Sequence, residues 1–226
     1  MRHARLKVRH RRLVNVSRKQ TPPASFRPLL IATTNPGKVR EALAILAGLP
    51  AILTTLDKHP ELPQPIEDAD NFMDNARIKA LHYARLTNLW TLADDSGLEV
   101  DALGGRPGVR SSRYAGERCD PSANNARLIS ELSGVPLEKR TARFCCAIAL
   151  ARESSVLAVA SGILEGVIID EPRGTEGFGY DPHFLVPETG LTSAEMPPEQ
   201  KNSLSHRGRA LRAIKPDIIR LLEQAQ

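Results

Sequence analysis

LLIATTNPGKVREALAIL, residues 29–46, passes directly from strand to turn to helix, and its reading sets the fold class. The apolar run LLIAT suits a short buried strand and TNPG a turn, after which Val39, Ala42, Leu43 and Leu46 recur at helical spacing on one face. Downstream, AILTTL predicts a second strand and HPELPQP a proline-rich loop. A second helix is expected from about Asp70 to Thr87, burying Met73, Ala76, Ala80, Tyr83 and Ala84. WTLAD then reads as a strand ending in the acidic turn DDSG, LEVDAL as another strand, and GGRPG as a break. A third helix is expected over Ser122–Leu132. TARFCCAIALA, SVLAVASG and ILEGVIID look like an antiparallel meander. The Gly-rich loop GTEGFGYDP leads into HFLVP, and a final helix runs from about Ser205 to Glu223 with Pro216 as a kink. Alternating β and α units followed by a meander predict an α/β protein built on a mixed sheet.

Composition bounds what such a sheet can serve. With 226 residues and 41% apolar content the chain can bury a core as one domain. Its longest apolar runs, Phe144–Leu150 and Val156–Ala160, fall far short of the roughly 20 residues that span a bilayer, so a soluble protein without a membrane partner is expected. Three cysteines, two of them the adjacent Cys145 and Cys146, give neither an even disulfide framework nor zinc spacing. They suit a reducing, cytoplasmic setting as small hydrophobes in a strand. The formal charge of +5 is concentrated at one end: residues 1–27 hold nine Lys and Arg and no acid. Removing those nine from 31 leaves 22 basic against 26 acidic residues from Pro28 onward, a formal −4. Residues 1–27 therefore read as a basic disordered arm ahead of a domain over 28–226. The arm is a start-site or non-functional extension, a tether to nucleic acid or, in a eukaryotic source, an Arg-rich transit peptide. The acidic balance of the domain argues against specific nucleic-acid binding.

Four places carry residues suited to chemistry. At TTNPGK, Thr33–Lys38, a strand end meets a helix start, where free N–H groups and a positive dipole favour an anion, and Lys38 adds a charge. Ala32 and Val39 exclude a Walker A loop, Pro36 removes one donor, and a plain capped turn is the rival reading. Glu67, Asp94 and Asp95, with Lys79 nearby on a helix, offer hard oxygen ligands of the kind Mg²⁺ takes in ones and twos beside substrate phosphates. The rival for DDSG is a turn bonded to its own backbone. In GFGYDP, Gly177–Pro182, glycines flank Phe178 so that a ring and bare backbone can meet a flat ligand; a simple hairpin would look the same. In KNSLSHRG, Lys201–Gly208, Ser205 can cap the last helix while His206 and Arg207 occupy its first turn, where the dipole disfavours cations. Such a local conflict points to function.

In this order ATTNPGK, FMDNARIKA, ADDSGLEVDALGGRPGVRSSRYAG, GFGYDPHF and KNSLSHRGRAL resemble the signature segments of the inosine/xanthosine triphosphate pyrophosphatase family, from Leu29 to the last helix. The resemblance implies an elongated mixed sheet flanked by helices, in two lobes with a central cleft, and a homodimer. It also implies an enzyme that hydrolyses nonstandard purine nucleoside triphosphates (those of inosine, deoxyinosine and xanthosine) to monophosphate and pyrophosphate, keeping them out of DNA and RNA. By position, Thr33, Thr34, Asn35, Pro36, Gly37 and Lys38 would hold the triphosphate and Lys79 would serve as a catalytic cation. Glu67 and Asp95 would bind Mg²⁺, with Asp68 the alternative to Glu67. Asp95 would also be the general base, with Ser96 beside it. Phe178, Gly179, Tyr180 and Asp181 would form the base-binding loop, and Lys201, His206 and Arg207 would recognise the purine. The rivals are a pyrophosphatase of other nucleotides and a nucleic-acid-binding protein.

Overall fold

The computed structural model describes residues 26–225, so the expected basic arm lies outside them but for its last two residues. Seven strands form one mixed sheet in the order β2-β1-β3-β4-β5-β6-β7. β1 (Arg27–Ile31) runs parallel to both β2 (Ala51–Thr55) and β3 (Trp90–Val100). From β3 onward the neighbours are antiparallel: β4 (Thr141–Arg152), β5 (Ser155–Ile168), β6 (Phe184–Val186) and β7 (Leu191–Thr192).

Helices cover the sheet on both faces. α1 (Pro36–Ile45) and α5 (His206–Gln224) enclose one core with Leu29, Ile31, Leu92, Ile148, Ile214 and Ile218. α2 (Phe72–Thr87) encloses another with Leu30, Ala80, Tyr83, Ala93 and Ala149. A third core around Leu98, Leu128, Leu164, Ile168 and Phe184 packs α3 (Pro121–Glu131) against the far end of the long strands and makes the second lobe. α4 (Pro198–Leu204) leads into α5, whose N-cap is Ser205, with its side chain accepting from the Gly208 N–H. No described helix is long and apolar enough to cross a membrane. Cys145 and Cys146 lie on β4, where burial pushes both thiols up to about 12, as expected of small hydrophobes.

Four expectations are corrected. DDSG is not a turn: β3 runs unbroken through it, with Asp94, Asp95 and Ser96 opposite Ile148, Ala147 and Cys146. The apolar β4 supplies a backbone partner at every step, which overrides the local turn preference of Asp and Gly. LEVDAL is the end of that same strand, and Asp101–Leu103 is a 3₁₀ turn. SVLAVASG and ILEGVIID are likewise one strand, β5. Gly162, at the junction of those two segments, is where α5 lies on the sheet: a Cβ there would sit 2.2 Å from the His206 carbonyl oxygen. Finally, Leu43 is 38% exposed on α1, and Ile45 packs on the core instead. α5 holds Pro216 within its length, as expected.

Candidate active site

The pairing of β1 with β3 stops at Ile31 opposite Leu92, closed by the Ala32 N–H donating to the Leu92 carbonyl at 2.8 Å. β3 continues past it. Asp94, Asp95 and Ser96 therefore keep β4 on one side while β1 has turned away into Thr33–Asn35, leaving a crevice at the carboxyl end of parallel strands where the sheet changes direction. Ligands of α/β sheets bind at such places. Asn35 caps α1, its Oδ1 accepting from Gly37 N at 2.8 Å and Lys38 N at 3.2 Å, while Pro36 fills the first helical position. The N–H groups expected to be free for an anion are thus already held, and a phosphate would have to displace the Asn35 side chain from them. Thr33 Oγ1 accepts from Asn35 N at 3.2 Å, and Thr34 is exposed at the mouth.

Successive strand residues face opposite ways, so the two aspartates have different surroundings. Asp94 Oδ2 meets Lys38 Nζ at 3.0 Å, Arg207 Nε at 3.1 Å and Ser96 Oγ at 3.1 Å. Burial opposes its charge, but Lys38, Arg207 and Lys79 outweigh it and hold the carboxyl far below the usual range. Asp95 turns toward α2. Its Oδ1 accepts from Ser96 N at 3.1 Å, its Oδ2 is buried with no partner, and burial raises its pKa against the pull of Lys79 and Lys38. Lys79 Nζ lies 2.6 Å from Glu67 Oε2 and donates to the Asp94 carbonyl at 3.1 Å. Asp68 is exposed. Among the described residues no three or more His, Cys, Asp or Glu are grouped to hold a metal ion. A cation here would have two carboxylates and complete its shell with phosphate and water, a donor set suited to Mg²⁺. The unpartnered Asp95 oxygen fits that use, because a buried acceptor without a donor is costly unless something else satisfies it.

The loop of Gly177–Asp181 meets the same crevice from the second lobe. The Phe178 ring lies over Gly37, where a Cβ would come within 2.3 Å of its Cδ1, so a side chain at that position would displace the ring. Lys201 Nζ stands 4.9 Å from the centre of that ring and the Arg207 guanidinium 5.6 Å. Lys201 pairs with Asp181 Oδ2 at 2.6 Å and Glu41 Oε1 at 3.1 Å. Arg207 is 3% exposed and reaches Glu41 and Asp94 together, with Nη2 donating to Ser96 Oγ at 2.7 Å. The conflict between a cation and the helix dipole is thereby settled by two carboxylates. Burial disfavours both cations, yet their carboxylate partners more than offset it and raise both pKa values. His206 is kept neutral by burial and by Arg207, Lys201 and Lys38. It stacks on Phe144 with ring centres 4.9 Å apart, and its Nδ1 is unpartnered. Tyr180 faces inward and donates to the Ser111 carbonyl at 2.8 Å.

All the expected residues from Thr33 to Lys38, with Glu67, Lys79, Asp95, Ser96, Phe178 and the Lys201–Arg207 group, border this region. Glu41 was not foreseen. It lies one turn beyond Lys38 on α1, and only that spacing could have signalled it.

A side-chain-capped helix start beside Lys38, two aspartates facing opposite ways and an aromatic ring flanked by Lys201 and Arg207, gathered where the sheet changes direction, are the layout of a nucleotide-hydrolysing α/β protein. The chain belongs to the Ham1 family, whose model matches residues 29–217. It is 55% identical to the dITP/XTP pyrophosphatase of Geobacter sulfurreducens over 84% of this chain and 96% of that one. To the protein of the same name from Geobacillus kaustophilus it is 49% identical, covering 82% and 91%. A HAM1 protein from Coxiella burnetii superposes with a TM-score of 0.78 at 37% identity, covering 85% of this chain and 98% of that one.

Proposed function

We propose that this chain hydrolyses the triphosphates of inosine, deoxyinosine and xanthosine to the monophosphate and pyrophosphate. The observation that carries the reading is the unpartnered, buried carboxylate oxygen of Asp95 beside the Lys79–Glu67 pair, at the open end of the sheet. The names of the relatives supply the nucleotide class. Glu67 and Asp95 would hold Mg²⁺, which when bound acidifies a water and draws charge from phosphate oxygens. Asp95 orients the attacking water and takes its proton. The water oxygen bonds to the α-phosphorus as the bond to the bridging oxygen breaks, and pyrophosphate leaves. Lys38 and Lys79 offset the charge that builds on the phosphates, so catalysis is positioning and electrostatics.

The 6-oxo group of hypoxanthine and xanthine accepts hydrogen bonds where adenine donates. Lys201 and Arg207 donate only, and so favour the former. Neutral His206 and the Phe178 ring complete the base end. Residues 28–226 form the catalytic domain, and the arm is dispensable: deleting residues 1–26 should leave the rate unchanged, and a large loss in a folded truncation would contradict this. The exposed Val159 and Ile163 on one face of β5 support a homodimer, which light scattering would test. The free thiols suit the cytoplasm.

The test is a panel of nucleoside triphosphates assayed with and without Mg²⁺ for pyrophosphate against orthophosphate. Pyrophosphate release from the inosine and xanthosine nucleotides, lost on chelation, is the expected result. Orthophosphate as first product, or equal rates on adenosine triphosphate, would overturn it.

A further inference from the structure

The loop that carries Phe178 has a structural gap at one carbonyl. Gly179 sits at φ +63° between Phe178 and Tyr180 and leads into the 3₁₀ turn Asp181–His183. A tight turn satisfies a carbonyl with the N–H three residues on, and for Gly179 that residue is Pro182, which has none. The next N–H, of His183, is taken by the Tyr180 carbonyl at 3.0 Å. The Gly179 oxygen must find its donor outside the loop. It finds Asn125 on α3, whose Nδ2 donates to it at 3.0 Å.

The side chain of Asn125 is held there for that donor. Its Oδ1 is buried with no partner, an arrangement that lowers stability relative to an apolar residue of the same shape. Flipping the amide would set that oxygen against the Gly179 oxygen. Next to it, Asn124 fixes the base of the anchor: its Oδ1 accepts from Ala115 N at 2.7 Å and its Nδ2 donates to the Ser112 carbonyl at 2.9 Å. That steadies the 3₁₀ segment Gly108–Arg113, whose Ser111 carbonyl receives the Tyr180 hydroxyl. The loop is thus clamped at two adjacent residues, Gly179 by Asn125 of α3 and Tyr180 by the Ser111 carbonyl of the 3₁₀ segment, while Lys201 and Asp181 hold it from the crevice side.

We propose that Asn125 is a positioning residue for base binding: by closing the Gly179 carbonyl it sets where the Phe178 ring lies over Gly37. The inference rests on the base-loop reading above, and it assigns Asn125 no contact with substrate. Without the clamp, Gly179 is free to rotate its peptide, since glycine has no preferred sign of φ. The ring then samples positions from which it cannot stack on a base.

The test is Asn125→Asp, which keeps size and removes the donor, with Asn125→Gln as the variant that retains one. Hydrogen exchange of the amides at residues 177–181 should accelerate in Asn125→Asp while those of α3 stay as in the wild type. The KM for inosine triphosphate should rise roughly tenfold with kcat within twofold, in keeping with the loss of one buried hydrogen bond. Asn125→Gln should recover part of both effects. In a Phe178→Ala background, Asn125→Asp should change KM no further, because the ring it positions is gone. Unchanged loop exchange in Asn125→Asp would overturn the proposal, as would an equal KM increase in the Phe178→Ala background. Wild-type protein that fails to hydrolyse the nucleotide would defeat the functional reading instead, and loop exchange would still judge the clamp.

Discussion

The two ends of the crevice are built in different ways. The end proposed to hold phosphate rests on backbone: a strand that stops, a helix that starts, and a longer strand whose consecutive aspartates face opposite sides. Its lysines each reach a carboxylate, and one oxygen of Asp95 is left free. The end proposed to hold the base rests on side chains from three distant segments, where Glu41, Asp181, Lys201 and Arg207 interlock in a buried network. A site with an oxygen to spare is prepared for chemistry, and a site with its charges matched is prepared to hold a shape. Substitutions should therefore cost turnover at the first end, and stability and selectivity at the second.

The largest effect is expected at Asp95. Asp95→Asn should cut kcat at least about a thousandfold, within the range for loss of a general base, with the melting temperature and nucleotide binding close to wild type. Near-normal turnover would erase the distinction between the ends. Arg207→Ala should reverse the pattern. It removes one cationic partner each from buried Asp94 and Glu41, a loss of about 3–5 kcal/mol, read as a melting temperature roughly 10 °C lower. In the folded fraction the efficiency ratio of inosine over adenosine triphosphate should shrink. Equal losses on both nucleotides with no change in melting would place Arg207 on the phosphates.

That contrast also governs what the sequence could tell. The phosphate end was legible because strand, cap and helix follow one another along the chain, so local periodicity and the Asn35-Pro36-Gly37 turn disclosed it. The acidic pair was located but misread as a turn, since its strand character comes from β4, which lies about fifty residues downstream. β5 was divided in two at Gly162 for a related reason: that glycine marks the seat of α5, a tertiary contact with no local trace. At the base end each segment carried only a hint of its own, an aromatic between glycines and cations at a helix start, and an ordinary hairpin or helix start would look much the same. Only their order, matched to a family, brought Phe178, Lys201 and Arg207 together, and Glu41 belonged to no motif at all.

Smaller effects sharpen the comparison. Phe178→Ala should weaken all substrates together by roughly 1–3 kcal/mol, because stacking ignores base identity; a loss confined to 6-oxo purines would give Phe178 a role in selection. The smallest concerns His206, whose pKa is held well below its ordinary 6.5. The unfolded chain takes up a proton near that value and the folded chain does not, so stability should decline as pH falls below about 6.5. His206→Gln should flatten that decline by up to about 1.4 kcal/mol per pH unit. Chemical denaturation between pH 7 and 5 would measure it, and an unchanged slope would mean that His206 takes up its proton without penalty in the fold.

The central claim is that water, oriented by Asp95, attacks the α-phosphorus of a 6-oxo purine nucleotide. Turnover of inosine triphosphate in water enriched in oxygen-18 tests it most directly. Label in the inosine monophosphate and none in the pyrophosphate is the predicted result. Label in the pyrophosphate, or in released orthophosphate, would mean that the attack falls on a different phosphorus and that the crevice holds the triphosphate in another register.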